Sequence, residues 1–414
     1  MSSKPVLIVG AGLAGLACAT ELHRRQIPFQ SIEASDAPGG RVRTDKVDGF
    51  LLDRGFQVYL TAYPEGQKLL DYKRLQFGHF APGALIHLND KFHSVMDPWR
   101  EPFAALSQIL NPVGSMRDKL LVARLRAVSL AGRPEELLTK PETTTLAALR
   151  RYGFSENMID RFFRPFFGGI MLDASLSVSS RMLEYVFRMM ATGDTVLPAQ
   201  GMGAIPAQLA EKLPAGSILC NAAVESVSGK ELRLANGDRL HGSAVVVATD
   251  GAVAHKLIPQ LPMVGARMSM TLYYAIEGKP PWKTPLILLN GNLDWPIQNV
   301  CLPNLICPSY APAGQNLLSV TVLGDPSDAD QKVDAAVRQQ LGGWFQLDAA
   351  AWRLFRVYRI RNAHPARLPD SVLEMPPSLG DGRFVCGDHR FMASIQAALL
   401  SGRRAAEAVA EYVA

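Results

Sequence analysis

The feature that most constrains the fold is a glycine-rich turn near the start of the chain, set between an apolar run and a helical segment. Residues 5–9 are apolar, as is typical of a parallel strand that is buried on both faces. Gly10 to Gly15 then fit the pattern G-x-G-x-x-G and lead into small apolar residues that predict a helix. A second predicted strand, residues 29–33, ends in Glu33, about 20 residues after the turn. The sequence therefore predicts a strand–helix–strand unit of about thirty residues.

Each part of this unit has a structural feature that suits a bound nucleotide. Gly10 allows a tight turn, Gly12 leaves room for a pyrophosphate beside the backbone, and Gly15 lets the helix pack closely on the strand. The free N–H groups and the positive dipole end of the helix N-terminus favour phosphate groups. Glu33 is placed to accept hydrogen bonds from ribose hydroxyls. A packing turn without a ligand is the alternative, but the combination predicts a bound adenine dinucleotide.

Composition excludes several other classes of protein. The 414 residues are 48% hydrophobic and 20% charged, which indicates an ordered chain of two or three domains. A net charge of +5 argues against a dedicated nucleic-acid binder, and no apolar run is long enough to cross a bilayer. The five cysteines form no C-x-x-C pair, so we expect reduced, buried thiols in a cytoplasmic protein and no metal site.

The predicted elements divide the chain into alternating segments. Residues 99–190 predict mainly helices, among them 143–150 and 180–190, which open with Ser/Thr capping candidates. The remaining patterns predict strands at 217–220, 223–227, 231–234, 244–249, 267–277, 316–323 and 383–388, a hairpin turn at 236–238, and a final helix from about Ser394. Segments of nucleotide-binding type fall at 1–75, 195–255 and 375–414, so a second domain is expected from 76–194 and 256–374.

A second glycine-rich stretch narrows the type of nucleotide. Glu33 is followed by Gly39-Gly40-Arg41-Val42-Arg43-Thr44 and then by Leu52-Asp53-Arg54-Gly55-Phe56. With these residues the chain resembles the large flavoprotein family of amine oxidases, protoporphyrinogen oxidases, and carotenoid or squalene desaturases. For Arg41 and Arg43 alone, a solvated surface pair is the alternative. The resemblance implies FAD as the cofactor and an α/β fold, with a Rossmann-type FAD-binding domain and a discontinuous substrate domain of mixed sheet and helices.

Two later segments extend the resemblance over nearly the whole chain. Residues 201–206 and 222–227 look like the second FAD segment of the family, which implies that the Val224 backbone pairs with the adenine. Residues 385–388 and the helix after Ser394 look like the closing segment, although Asp388 could be a plain helix cap. The residues that the resemblance assigns to FAD are Gly10, Gly12, Leu13, Ala14, Gly15, Glu33, Ala34, Gly39, Gly40, Arg41, Arg43, Gly55, Phe56, Gln57, Val224, Ala248, Gly387, Asp388, Ser394, Ile395 and Ala398.

The branch of the family is indicated partly by departures from its pattern. An amine oxidase would carry a lysine just ahead of a Tyr-Tyr strand and a cage tyrosine at the start of the last helix; Ser269 and Ser394 stand at those places. Residues 161–170 contain four phenylalanines and are followed by Met182, Met189 and Met190, which suit a hydrophobic ligand, with an ordinary helical core as the alternative. We therefore expect hydride transfer to FAD from a prenyl, carotenoid or porphyrinogen-like substrate. An amine oxidase that releases hydrogen peroxide and a flavin-bound scaffold without activity remain alternatives.

Catalytic side chains and a membrane contact are weaker predictions. No second G-x-G-x-x-G is visible, which disfavours flavin reduction by NAD(P)H, and a delocalised substrate cation needs no side-chain base. His364 and His389 lie near the expected flavin-facing segments, with a structural or solvated role as the alternative for each. Tyr273 and Arg361 could line the cavity, and His364 and Tyr273 are the candidates for the catalytic site. Residues 116–128 predict a basic amphipathic helix whose apolar positions 116, 120, 121, 125 and 128 could lie on an anionic membrane, or could simply cover the core.

Overall fold

The computed structural model describes residues 4–106, 111–366, 368–369 and 375–414. The strands are β1 Val6–Val9, β2 Phe29–Ile32, β3 Thr44–Val47, β4 Phe50–Asp53, β5 Tyr59–Leu60, β6 Gly78–His79, β7 Gly83–Leu88, β8 Lys91–Met96, β9 Thr195–Leu197, β10 Ile218–Leu219, β11 Val224–Ser228, β12 Glu231–Leu234, β13 Arg239–His241, β14 Val245–Val247, β15 Ala266–Glu277, β16 Ile287–Asn290, β17 Asn299–Cys301, β18 Gln315–Leu323, β19 Arg353–Pro365 and β20 Arg383–Val385. The helices are α1 Leu13–Arg24, α2 Pro64–Leu69, α3 Tyr72–Leu75, α4 Pro102–Leu106, α5 Met116–Leu130, α6 Pro134–Leu137, α7 Thr145–Tyr152, α8 Glu156–Met158, α9 Arg164–Met171, α10 Ser180–Thr192, α11 Ala204–Glu211, α12 Gly251–Leu257, α13 Pro303–Ile306, α14 Asp330–Phe345 and α15 Ile395–Val413.

A parallel sheet holds the glycine turn. Its strands lie in the order β10-β2-β1-β14-β20 and all pair in parallel. Val6 and Ile8 of β1 pack into the same apolar cluster as α1, whereas Leu7 and Val9 pack into a second cluster with α12. Burial on both faces explains the unbroken apolar run of β1. The predicted strand–turn–helix–strand unit and the α/β fold are confirmed.

A mixed sheet forms the second layer. Its order is β19-β15-β18-β17-β16-β7-β8, with β16 and β7 parallel and the other pairs antiparallel. Strand β15 shows the period of two clearly: Leu272 and Tyr274 pack into the cluster that includes α14, whereas Tyr273 and Ala275 belong to the main core on the other face. The sheet therefore presents one face to α14 and the other to the interior of the molecule.

The predicted helical segment 99–190 forms helices α4 to α10, which we call the helical layer. Helix α7 starts after Thr144, whose hydroxyl accepts from the Ala147 N–H, and α10 starts after Ser179, which accepts from Arg181. The predicted strands leave out β3 to β9, β16, β17 and β19. In β19, arginines at positions 353, 356, 359 and 361 break the alternation, and register shifts against β15 accompany that irregularity.

Residues 116–128 form the predicted helix, α5, but its apolar positions do not share one environment. Met116 and Leu120 are 52% and 70% exposed, and the buried positions are Asp118, Leu125 and Ser129. Asp118 closes a capping box with Ser115 and also accepts hydrogen bonds from the N–H and hydroxyl of Ser155. These polar contacts turn the helix so that Asp118 faces inward and two apolar side chains face outward.

The parallel sheet takes its strands from the three ranges 1–75, 195–255 and 375–414, and the mixed sheet takes its strands from the two ranges between them. The domain boundaries themselves stay a prediction, and residue 374, beside the last of them, lies outside the described residues. Within the described ranges, the helices are too short or too polar to cross a bilayer.

Candidate functional site

A cavity of about 770 Å³ connects the glycine turn with the helical layer. Gly10, Glu33 and Val224 line it on the side of the parallel sheet, and Phe166 and Met182 line it on the side of the helices. A single space thus borders both the predicted nucleotide site and the apolar segment that the sequence associates with a hydrophobic ligand.

The turn is built as the spacing of its glycines predicts. Gly10 has a φ of +101°, a conformation that favours glycine. A Cβ on Gly15 would lie 2.0 Å from the carbonyl oxygen of Gly10, so only glycine lets α1 approach the turn this closely. Gly12 is different, because a Cβ there would meet only the Cα of Gly40, at 3.9 Å. Gly12 is the N-cap of α1 and supplies no side-chain cap, so the first N–H groups of the helix remain available to an anion.

Glu33 is held beside this turn by hydrogen bonds to its carboxylate. Its Oε2 accepts from the Ala11 N–H at 2.7 Å, and its Oε1 accepts from the N–H and hydroxyl of Ser35 at 2.9 and 2.7 Å. The side chain is buried and lines the cavity. The carboxylate is therefore fixed in position, with further acceptor capacity toward the cavity.

Most residues that the resemblance assigns to FAD line this cavity. Two residues assigned to FAD, Gly15 and Arg43, and the catalytic candidate Tyr273 lie outside the lining that the described residues form. Gly15 packs the helix on the strand, and Arg43 pairs with Asp36 at 2.7 Å. The predicted residues that do line the cavity are Gly10, Gly12, Leu13, Ala14, Glu33, Ala34, Gly39, Gly40, Arg41, Gly55, Phe56, Gln57, Val224, Ala248, His364, Gly387, Asp388, Ser394, Ile395 and Ala398.

Arg41 and Asp388 form an ion pair at the edge of the cavity. The guanidinium lies 2.8 Å from the Asp388 carboxylate and also donates to the Ala363 carbonyl oxygen at 2.7 Å. Burial alone would raise the pKa of Asp388, but the charge and hydrogen bond of Arg41 lower it below its usual range. Asp388 is therefore ionised at neutral pH, and Arg41 joins the last FAD-type segment to β19.

The two histidines near the cavity are neutral at pH 7. Burial lowers the pKa of His364 to about 4, and the same cause lowers the pKa of His389 to about 4. His364 lines the cavity, whereas Tyr273 is buried in the core against Tyr358. Arg361 is 76% exposed and lies 3.6 Å from Asp325, away from the lining.

The phenylalanine-rich segment divides between the cavity and the core. Phe162 and Phe166 line the cavity and stack on each other, with ring centroids 5.4 Å apart. Phe163 and Phe167 are fully buried in the core behind them. Half of these aromatic side chains thus form an apolar wall, and Met182 and Met190 continue that wall.

Sequence reasoning missed polar residues on the opposite wall. Thr271, Asn299 and Thr321 come from three strands of the mixed sheet and line the cavity. Small polar residues inside apolar strands are the signal that could have found Thr271 and Thr321. Asn299 lies in a short strand without a recognisable motif.

The residues present fit an adenine dinucleotide with a flavin. The uncapped helix N-terminus, the open space beside Gly12 and the fixed Glu33 carboxylate supply contacts for a diphosphate and a ribose. The continuation of the cavity past Gly55 and Phe56 leaves room beyond the nucleotide. Within the described ranges there is no cluster of three or more metal-ligating side chains.

Comparison with known proteins identifies the family. The family model for flavin containing amine oxidoreductases matches residues 13–410. The coproporphyrinogen III oxidase of Mycobacterium leprae is 26% identical over 187 residues, which cover 44% of this chain and 40% of that protein. The phytoene dehydrogenase of Streptomyces griseus is 28% identical over 295 residues, which cover 62% of this chain and 56% of that protein. The chain therefore spans less than two thirds of the length of these relatives.

Solved structures share the fold at low sequence identity. An oxidoreductase from Methanosarcina mazei matches with a TM-score of 0.75 and 16% identity over 98% of this chain and 100% of that one. Putrescine oxidase bound to putrescine matches with a TM-score of 0.71 and 17% identity over 99% of both chains. A reduced UDP-galactopyranose mutase matches with a TM-score of 0.70 and 15% identity over 99% of this chain and 96% of that one. Because an oxidase and a mutase share this fold, the likeness identifies the architecture and not the substrate.

Proposed function

The chain belongs to the family of flavin-containing amine oxidoreductases, and we propose that it is an FAD-dependent enzyme that dehydrogenates a hydrophobic substrate. The observation that carries this proposal is the continuity of one cavity from the glycine turn to a wall of aromatic and methionine side chains. A substrate that enters this space lies against Phe162, Phe166, Met182 and Met190. These side chains favour an apolar molecule over a small charged amine.

The cofactor would be held by the backbone of the Gly10–Gly15 turn and by Glu33, with Val224 and the Gly387–Asp388 step at its other contacts. When bound, FAD supplies the acceptor for two electrons from the substrate. The chain contributes binding, orientation and the exclusion of water. The ion pair of Arg41 with Asp388 fixes the cavity edge, because it ties together segments that are remote in sequence.

His364, the catalytic candidate that lines the cavity, is not a strong general base. His364 is neutral at pH 7 and one of its ring nitrogens hydrogen-bonds to the Met171 backbone. Neutral imidazole can take up a proton, but its low pKa makes it a weak base. This agrees with a substrate whose positive charge is delocalised and whose proton leaves in a later step.

The relatives suggest which substrates to test. Proteins named coproporphyrinogen III oxidase and phytoene dehydrogenase match parts of this chain, which points to a porphyrinogen or a prenyl-derived polyene. Ser269 and Ser394 line the cavity at the places where an amine oxidase would carry a lysine and a tyrosine. Both departures argue against amine oxidation, which is the alternative function.

Anaerobic flavin reduction tests the proposal directly. The purified holoprotein is mixed with protoporphyrinogen, with phytoene in detergent, and with putrescine, and flavin absorbance is followed. We expect one of the two hydrophobic compounds to bleach the flavin and putrescine to leave it oxidised. Reduction by putrescine with release of hydrogen peroxide in air, or reduction by none of the three, would contradict the proposal.

We further propose that the enzyme is cytoplasmic and contacts an anionic membrane through α5. The exposed Met116 and Leu120 lie on the same helix as the exposed Arg117 and Arg124, and Val122 of this helix lines the cavity. A hydrophobic substrate could then pass from the lipid to the cavity over a short distance.

Sedimentation with anionic vesicles tests this contact. Wild-type protein is expected to sediment with the vesicles, and the double variant Met116→Ser/Leu120→Ser is expected to remain in the supernatant. Leu347→Ser is the matched control, because Leu347 is also exposed but lies outside α5. Equal sedimentation of all three proteins at moderate salt would exclude the contact.

A further inference from the structure

A row of polar side chains crosses the cavity face of the mixed sheet. Thr271 of β15 pairs with Thr321 of β18, and Thr321 pairs in turn with Asn299 of β17. Residues directly opposite one another on adjacent strands have neighbouring side chains on the same face. All three residues are buried, at 0%, 4% and 4% exposure respectively, and all three line the cavity. We call Thr271, Thr321 and Asn299 the polar row.

Two atoms of the polar row are buried without a hydrogen-bond partner. The Asn299 Oδ1 and the Thr321 Oγ1 have none among the described residues, whereas the Thr271 hydroxyl accepts from the Phe56 N–H at 3.3 Å. Burying a polar group without a partner destabilises a protein. Unlike Ser319 Oγ, which is also unpaired, these two adjacent atoms belong to residues of the cavity lining and are therefore placed to bond to a group in the cavity.

The surrounding structure keeps space for the Asn299 amide. Gly169 of α9 lies against it, and a Cβ on Gly169 would come within 2.8 Å of the Asn299 Nδ2. The side chain is thus placed between the helical layer and the sheet, where the cavity passes between them. Phe162, Phe166 and Ile287 line the same cavity and are apolar.

We propose that the polar row binds an N–H or O–H group of the substrate, which is therefore a hydrophobic molecule with a hydrogen-bond donor and not a pure hydrocarbon. This inference rests on the proposed function and names the substrate class for the same site. The Asn299 Oδ1 accepts from the donor, and the Thr321 hydroxyl accepts from it or donates to a neighbouring acceptor. A pyrrole-bearing porphyrinogen offers such N–H groups, and a polyene such as phytoene offers none.

Binding to the holoprotein tests the proposal with two ligands that differ in this respect. Protoporphyrinogen IX, whose pyrrole N–H groups can turn outward from a flexible ring, is titrated anaerobically into holoprotein with reduced flavin and followed by quenching of tryptophan fluorescence. Phytoene in detergent is measured by equilibrium dialysis. Thr321→Val and Asn299→Leu remove the acceptors with little change of shape, and Thr321→Ser restores the hydroxyl. Ser319→Ala is the matched control, because Ser319 is a buried hydroxyl on the same strand that is absent from the described cavity lining.

We expect Thr321→Val and Asn299→Leu each to weaken protoporphyrinogen binding about 3- to 10-fold, the loss typical of one hydrogen bond. Thr321→Ser should bind it as wild type does, and phytoene binding should not weaken in any variant. The Tm of ligand-free Thr321→Val should equal or exceed that of wild type, since an unpaired buried hydroxyl is removed.

Three results would overturn the proposal. The first is unchanged protoporphyrinogen binding in both variants, as expected if the polar row holds only water. The second is an equal loss for both ligands, and the third is a clear fall in the Tm of Thr321→Val, which would indicate an internal partner. None of these results bears on whether wild-type protein is reduced by a hydrophobic compound. The proposed function therefore stands or fails separately, in the flavin reduction experiment.

Discussion

Replacing the glycines of the turn one at a time should separate cofactor binding from folding. Gly12 has φ −71° and ψ −178°, an extended conformation that alanine adopts without strain, and its Cβ would meet only the Gly40 Cα at 3.9 Å. Alanine there lowers the entropy of the unfolded chain but is a poorer N-cap, and these effects, each below about 1 kcal/mol, oppose each other. The free energy of unfolding without cofactor should therefore change by less than about 1 kcal/mol.

In contrast to stability, the affinity of Gly12→Ala for FAD should fall strongly. The added methyl group of Gly12→Ala would occupy the space that a diphosphate needs against the backbone. Loss of one or two hydrogen bonds to a charged group costs about 1.5–3 kcal/mol, so FAD binding should weaken about 10- to 100-fold.

Gly15→Ala should instead lower the free energy of unfolding, whether or not the cofactor is bound. Its Cβ would lie 2.0 Å from the Gly10 carbonyl oxygen, so α1 would have to move away by about 1 Å. The other side of α1 offers no slack, because a Cβ on Gly402 of α15 would lie 2.1 Å from the Ala14 carbonyl oxygen. Overpacking of this kind costs about 1–3 kcal/mol.

Both measurements start from protein stripped of flavin. Urea unfolding of one sample gives the stability, and titration of a second, folded sample with FAD, followed by quenching of flavin fluorescence, gives the affinity. Gly343→Ala is the control, since Gly343 is exposed in α14 and a Cβ there meets nothing within 4 Å. It should be neutral or slightly stabilising and should bind FAD normally. Unaltered FAD affinity in Gly12→Ala would refute the assignment of the turn to the diphosphate. Unaltered stability in Gly15→Ala would refute the packing argument.

Three further predictions concern Glu33, Asp53 and Gly169. Glu33→Arg should abolish retention of flavin on purification, because the ribose acceptor and its bond to the Ala11 N–H are both lost; a yellow variant with one flavin per chain would contradict this. Burial raises the pKa of Asp53 from 3.8 to about 6, although its hydrogen bonds oppose the shift. The folded protein therefore favours the protonated carboxyl, and the stability that this protonation contributes is complete below pH 3.8 and is lost as the pH rises through 6. Asp53→Asn should therefore gain up to about 3 kcal/mol of stability relative to wild type between pH 4 and pH 7, measured by urea unfolding at several pH values; a parallel pH dependence in both proteins would contradict this. Gly169→Ala should displace the Asn299 amide and weaken protoporphyrinogen binding as Asn299→Leu does, whereas Gly343→Ala should not; normal binding would show that the amide position is unimportant.

The nucleotide half of the site could be predicted because its determinants are local. The turn, α1 and Glu33 follow one another within a single strand–helix–strand unit, so their relative positions depend on short-range geometry. The spacing of Gly10, Gly12 and Gly15 predicts a close approach of helix to strand, and the structure shows that approach at Gly15. Nothing distant in the chain is needed to place them.

The substrate half could not be predicted to the same extent because its determinants are remote from one another. The polar row joins β15, β17 and β18, and its members become neighbours only through the strand register. The orientation of α5 depends on hydrogen bonds from Ser155 to Asp118. The spacing of apolar residues within α5 cannot predict a polar contact with another segment. The predicted apolar positions of α5 are for that reason divided between solvent and core.

The two walls of the cavity follow different periodicities, and this difference explains how one space can be both apolar and selective. Phe162 and Phe166 are four residues apart, so a helix places them on one face and turns Phe163 and Phe167 toward the core. The facing sheet alternates every two residues, so Thr271 and Thr321 can face the cavity while Leu272 and Val320 fill the cluster behind. An apolar wall binds many hydrophobic molecules with similar affinity, whereas a few fixed acceptors on the opposite wall discriminate by whether a ligand satisfies them. Substrate choice in this fold should therefore change through the polar positions of the mixed sheet sooner than through the aromatic wall.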